Sequence, residues 1–194
     1  MSGSLFTAWR PDEAARTQLA ALLAAIQVAC PAHGPQVKPR RPDQWHVTLC
    51  FIGDQVMHLV TPELLGAFAE VGTVVPAHDF TIERLAYWPR SGAVVALPHT
   101  CPPLLALCDA TDKALRVLDI RSQEVTRQPH ITLAYLPRHL PAQSWLDGVD
   151  CAGDRLRVGS FELLCSPGGR YESLGHWPLT ATDATPPVQQ ASLF

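Results

Sequence analysis

One stretch of this chain is written twice, and both copies constrain the fold. Trp45-His46-Val47-Thr48-Leu49-Cys50-Phe51-Ile52-Gly53 returns as Pro129-His130-Ile131-Thr132-Leu133-Ala134-Tyr135-Leu136-Pro137. Both copies are rich in β-branched and aromatic residues and stop at Gly or Pro, so both read as strands. Side chains alternate along a strand. His46 therefore shares a face with Thr48, and His130 with Thr132. The same alternation sends Val47, Leu49 and Phe51, and likewise Ile131, Leu133 and Tyr135, toward a core.

The rest of the chain supplies helices and further strands around these two. Residues 5–9 form a short apolar run, and Pro11, Asp12 and Glu13 open a helix that carries Leu19, Leu22, Leu23 and Ile26 at helical spacing. Residues 31–42 read as a loop bearing Lys38, Arg40 and Arg41. Thr61 and Pro62 start a second helix. Residues 79–88 and 93–97 read as a hairpin, and Pro102 or Pro103 begins a third, amphipathic helix. Residues 144–150 are a short irregular or helical piece, 156–165 and 171–179 are strands, and 180–194 read as a mobile tail. Strand, helix and His strand thus recur, as in one α/β unit duplicated.

A hydrophobic content of 47% and a charged content of 17% describe an ordinary globular chain. The formal net charge of -3 gives no general attraction to nucleic acid, so an anion must be held by a local cluster. The 6 cysteines form no Cys-x-x-Cys pair and read as free thiols of a reducing compartment. No signal peptide and no membrane-spanning run is evident, which makes a soluble cytoplasmic protein the expectation.

Histidine can take or give a proton near neutrality. Two imidazoles on opposite sides of a reacting atom can do both. A threonine two residues along the same face stands about 6.6 Å from its histidine along the backbone, close enough for both to touch one phosphate. The arrangement fits phosphodiester hydrolysis: one His activates water, the other protonates the departing oxygen, and the Thr hydroxyls hold the non-bridging oxygens. Neither metal nor cofactor is called for. The other histidines have no ligand spacing, and no phosphate-binding glycine loop occurs.

At His46-Val47-Thr48-Leu49 and His130-Ile131-Thr132-Leu133 the chain resembles the two-histidine (2H) phosphoesterase superfamily and its HxTx motifs. More narrowly it resembles the RNA 2′,3′-cyclic phosphodiesterases, also called 2′-5′ RNA ligases. Arg41-Pro42-Asp43-Gln44-Trp45 before the first motif, and Tyr171-Glu172-Ser173-Leu174 and Trp177-Pro178-Leu179 near the end, agree with that branch. The resemblance covers about residues 4–179. It implies an α/β fold of the α+β type, one bilobal domain over 1–179, in which duplicated lobes of antiparallel sheet plus helices face each other across a central cleft. It also implies metal-free opening of a 2′,3′-cyclic phosphate to a 2′-phosphomonoester, with His46 as proton donor and His130 as proton acceptor. Residues alone do not assign those two roles. Many members carry Arg where this chain has Tyr135, which leaves Tyr135 or Arg127 to complete the substrate site with Thr48 and Thr132. Lys38, Arg40 and Arg41 are candidates for the RNA backbone, and Trp45 for stacking on a base or for the core.

The expected partner is an RNA end bearing a cyclic phosphate, met by a monomer away from membranes. The same residues would serve the reverse, ATP-independent joining of RNA ends, and the sequence does not separate the two directions. Hydrolysis of a small cyclic phosphate, and non-catalytic holding of RNA ends, also stay open.

Overall fold

A computed structural model describes residues 3–151, 153 and 155–181. Strand β1 (Gly3–Trp9) leads to α1 (Glu13–Ala29), whose first turn is capped by the Asp12 carboxylate accepting from the Ala15 N–H at 2.8 Å. Then come β2 (Lys38–Pro39), β3 (Val47–Asp54), α2 (Pro62–Val74), β4 (His78–Phe80), β5 (Ile82–Trp88) and β6 (Ala93–Pro98). They are followed by α3 (Pro102–Val117), β7 (Glu124–Val125), β8 (Ile131–Tyr135), α4 (Gln143–Leu146), β9 (Leu156–Val158), β10 (Ser160–Pro167) and β11 (Glu172–Pro178). One antiparallel sheet runs β11-β10-β1-β3-β7, a second runs β2-β8-β6-β5, and β4 pairs only with β9. The expected strands 79–88 and 156–165 are therefore each split, at Thr81 and Gly159, where the chain leaves that small ladder for a main sheet.

The two motif strands, β3 and β8, lie in different sheets, and the sheets are not the two halves of the chain. β10 and β11 return to the first sheet. The lead-ins also exchange. β2, inside the stretch expected to be loop, pairs with β8 through Lys38↔Tyr135 and Pro39↔Ala134. β7 pairs with β3 through Cys50↔Val125 and Phe51↔Glu124. The exchange is reciprocal to a single bond: the Arg40 N–H donates to the Leu133 carbonyl at 2.8 Å, and the Thr126 N–H donates to the Leu49 carbonyl at 3.1 Å. Leu49 and Leu133 hold the same place in the repeat.

Both strands bulge at those leucines. Thr48 and Cys50 face the adjacent Ala8 and Thr7 of β1, which leaves Leu49 unpaired. Thr132 and Ala134 face the adjacent Val95 and Val94 of β6, which leaves Leu133 unpaired. An extra residue inverts which side the following side chains face. Cys50 and Ala134 thus join Leu49 and Leu133 in the core, and Phe51 and Tyr135 do not lie on the core face where simple alternation puts them. Phe51 packs against the cluster of Phe6, Ala8 and Leu164, and Tyr135 is 36% exposed.

A single core joins both sheets to the helices, with Leu5, Trp9, Val47 and Phe161 from the first sheet, Leu85, Val94 and Ile131 from the second, and Leu19, Phe68 and Leu107 from the helices. Trp45 belongs to it at 1% exposure, so its indole is core and not a platform for a base. Each sheet has a smaller apolar cluster on its other side: Phe6, Ala8 and Leu164 on the first, and Ala86, Ala93, Val95 and Leu97 on the second. The six cysteines are free thiols, and Cys50, Cys108 and Cys165 are buried. No helix among the described residues is long and apolar enough to cross a membrane. Of the expected tail, residues 182–194 lie outside the described residues. Thr180 itself is held, its N–H and hydroxyl reaching the Val75 carbonyl at 3.2 and 3.0 Å.

The β5–β6 turn depends on Gly92, whose φ is +77°. Its N–H donates to the Trp88 carbonyl at 2.8 Å and its carbonyl accepts from the Leu136 N–H at 2.8 Å. A Cβ there would run into the Leu136 carbonyl oxygen, which no side-chain rotation can relieve. Gly92→Ala is expected to lower the unfolding free energy by about 2 kcal/mol or more. Urea unfolding checks this, and a loss under about 0.5 kcal/mol would contradict it.

Candidate active site

His46 and His130 each sit one residue ahead of a motif strand and are held in the same way. The Nδ1 of His46 lies 2.9 Å from the Gln44 carbonyl, and the Nδ1 of His130 lies 3.0 Å from the Gln128 carbonyl. A carbonyl can only accept, so in both rings Nδ1 carries the hydrogen. Each neutral imidazole is left with a basic Nε2. Gln44 and Gln128 are thus a repeated element of the site that the alignment on the histidines passes over; the signal is a glutamine two residues before each His.

Aromatic rings fix both imidazoles. His46 meets Tyr171 edge-on with centroids 5.0 Å apart and Phe6 at 5.4 Å. His130 meets Trp88 at 4.4 Å. The small apolar clusters on the site side of each sheet are the walls that carry these rings. Thr48 and Thr132 are half-buried, and among the described residues neither hydroxyl has a protein partner. Thr17, Thr73 and Thr111, by contrast, spend theirs on backbone carbonyls.

Arg40 ties the two motifs together. Its backbone N–H is bonded to β8, and its Nη1 donates to the Tyr135 hydroxyl at 3.0 Å. Its Nη2 donates to the Tyr171 hydroxyl at 2.5 Å, and its Nε to the Gln44 carbonyl at 3.4 Å. Tyr171 and Gln44 are both His46 partners. Gln44 also anchors the turn before Tyr171, its Nε2 donating to the Gly169 carbonyl at 2.7 Å.

Of the residues singled out in the sequence, the structure links His46 to Tyr135 through Tyr171 and Arg40, and sets Thr48, His130 and Thr132 on or beside the same two motif strands. Arg127 is not in this group. Its guanidinium is 71% exposed and pairs with Asp109 of α3 at 2.8 Å. It lines a separate groove with Arg84, His99 and Gln128. A larger groove of about 440 Å³, between α1 and residues 150–156, includes neither histidine.

Both imidazoles bind protons less tightly than an ordinary histidine. Burial pushes the pKa of His46 down to about 4, against the pull of the Gln44 carbonyl, and the positive charges of Arg40, His130 and Arg10 push the same way. Burial also lowers His130, but there the Gln128 carbonyl and the Glu124 carboxylate oppose it. The two sites are therefore geometric equivalents with unlike surroundings: cations around His46, a carboxylate near His130.

Residues 10–95 match the family model described as LigT like phosphoesterase. Over those residues, a little under half of its length, the chain is similar to the LigT-like phosphoesterases. The matched residues hold the first motif, and the second is its structural repeat. Solved structures share the fold. TT0787 of Thermus thermophilus has 23% identity and a TM-score of 0.71, over 92% of this chain and 98% of that one. E. coli LigT in apo form has 23% identity and a TM-score of 0.65, over 93% and 99%. E. coli LigT complexed with 3′-AMP has 22% identity and a TM-score of 0.64, over 92% and 98%. A sequence comparison with curated proteins gives no match.

The lowered His46 pKa has a consequence for stability. Above pH 6.5 the ring is neutral in the folded and unfolded chain, and nothing is lost. Between pH 6.5 and about 4 the unfolded chain takes up a proton that the folded site refuses, so stability falls with pH across that window. The expected contribution approaches about 1.4 kcal/mol per pH unit, on top of other groups. His46→Phe should flatten the fall measured by urea unfolding at pH 4.5–6.5, and an unchanged slope would contradict the assignment.

Proposed function

We propose that this protein is a metal-independent phosphodiesterase that opens the 2′,3′-cyclic phosphate at the end of an RNA, leaving a 2′-phosphomonoester. One observation carries the reading: two imidazoles each commit Nδ1 to a backbone carbonyl, one arginine fork bridges the two motifs, and among the described residues the motif threonine hydroxyls have no protein partner. Solved complexes of E. coli LigT with phosphate and with 3′-AMP contain ligands that such a site would accept.

In this reading His130 Nε2 takes a proton from water as the water oxygen attacks phosphorus. The bond from phosphorus to O3′ breaks, and His46 Nε2 gives its proton to O3′. Thr48 and Thr132 hold the non-bridging oxygens. The unlike surroundings of the rings support these roles. Arg40 and Arg10 favour loss of the proton from His46, and Glu124 favours its gain at His130. Free His46 holds no proton at neutral pH, but the negative charge of the arriving phosphate favours its imidazolium.

With an oligoribonucleotide ending in a 2′,3′-cyclic phosphate, His46→Ala and His130→Ala should each lower kcat/KM by about 10²–10⁴-fold, and EDTA should leave the rate unchanged. Because both free rings bind protons weakly, the bell-shaped profile of kcat/KM should peak below pH 6.5. Retained activity in either variant would overturn the two-histidine mechanism. A 3′-phosphate as product would overturn the direction of opening.

A further inference from the structure

We infer that Arg40 is the phosphate-binding cation of the site, presented as a fork by the hydroxyls of Tyr135 and Tyr171. The inference rests on the proposed function and names the charge that its substrate would meet.

The partners of Arg40 set it apart from its neighbours. Arg10, which shares the surroundings of His46, and the adjacent Arg41 each pair with a carboxylate, Glu162 and Asp43. Arg40 has no carboxylate within ion-pair distance among the described residues. Its bonds go to two tyrosine hydroxyls and one carbonyl, all neutral acceptors. They fix the guanidinium plane without cancelling its charge. A guanidinium has five N–H donors, and those three bonds leave one on each terminal nitrogen. A guanidinium that keeps an N–H on both terminal nitrogens can donate to two oxygens of one phosphate.

Position supports the same role. Arg40 is half-buried, its backbone is bonded to the second motif strand, and its side chain reaches two partners of His46. Its guanidinium carbon lies 5.9 Å from the ring centroid of Tyr135 and 5.8 Å from that of Tyr171. The cation is thus held between a ring that follows the second motif and a ring that contacts His46. The ligand class is a phosphate oxyanion: a cyclic phosphodiester as substrate and a phosphomonoester as product.

The test uses the full chain and inorganic phosphate, with binding followed by calorimetry. Arg40→Gln keeps a donor for the tyrosines and removes the charge, and should weaken phosphate binding by about tenfold or more. Tyr135→Arg in the Arg40→Gln background should recover most of that loss, because the Tyr135 hydroxyl stands 3.0 Å from the nitrogen it replaces. Arg121→Leu, an exposed residue that removes the same net charge, should change binding less than about twofold. Should Arg40→Gln fail to fold, Arg40→Lys carries the test: it keeps the charge but not the fork, and should bind phosphate at least about threefold more weakly. Wild-type affinity in Arg40→Gln, or in Arg40→Lys when that variant stands in for it, would overturn the inference. So would an equal loss in Arg121→Leu. The two readings fail separately. Phosphate held through Arg40 by a protein that opens no cyclic phosphate removes the hydrolysis alone, and turnover with unchanged phosphate affinity in Arg40→Gln removes the role of Arg40 alone.

Discussion

The two sheets are joined by an exchange of backbone bonds. Each motif strand takes as its edge neighbour the lead-in to the other motif, and each lead-in ends on the carbonyl of a bulged leucine, Leu133 for Arg40 and Leu49 for Thr126. Without that exchange the chain would be two small lobes hinged by linkers, and relative motion is the default for such lobes. With it, a change in the spacing of the sheets must break ladder bonds and open the core that both sheets share. The separation of the two imidazoles is thereby made a property of the fold and not of a flexible hinge.

The bulges do a second job. By turning Phe51 and Tyr135 out of the core they give the site one aromatic from each copy of the repeat, and the two have diverged in use. Phe51 packs on Phe6, Ala8 and Leu164 as part of a wall. Tyr135 carries a hydroxyl and holds Arg40. The same divergence appears in the electrostatics, where arginines flank one ring and a glutamate the other. A duplicated scaffold has thus acquired a polarity, and acid–base chemistry in one direction across a phosphate requires one. The depressed proton affinity of His46 is the thermodynamic cost of seating a ring on Phe6 and Tyr171, and an anionic ligand offsets it.

What the sequence shows and hides divides along local and non-local lines. The doubled His-x-Thr, its strand character and the Thr61-Pro62 helix start are set by neighbours in the chain, and the structure has them where the pattern puts them. The outward turn of Phe51 and Tyr135 is not visible, because a bulge is defined against a partner strand, and both aromatics look apolar enough to be core. β2 and β7 have two residues each, and their pairing lies in the other sheet, so no periodicity marks them. Arg127 stands three residues before His130 yet belongs with Asp109, a helix away. Arg40 looks like one of three solvated charges in a loop, and only the fold brings it between Tyr135 and Tyr171. Gln44 and Gln128 could have been found, since the same letter precedes both histidines by two.

The proposal that two distant motifs converge on one phosphate is tested directly by a crystal of the full chain grown with inorganic phosphate. The expected result is a single phosphate ion with Nε2 of His46 and Nε2 of His130 both at about 2.6–3.2 Å from its oxygens. A phosphate held by one ring alone, with the other ring beyond reach of it, would contradict the two-histidine site at its centre.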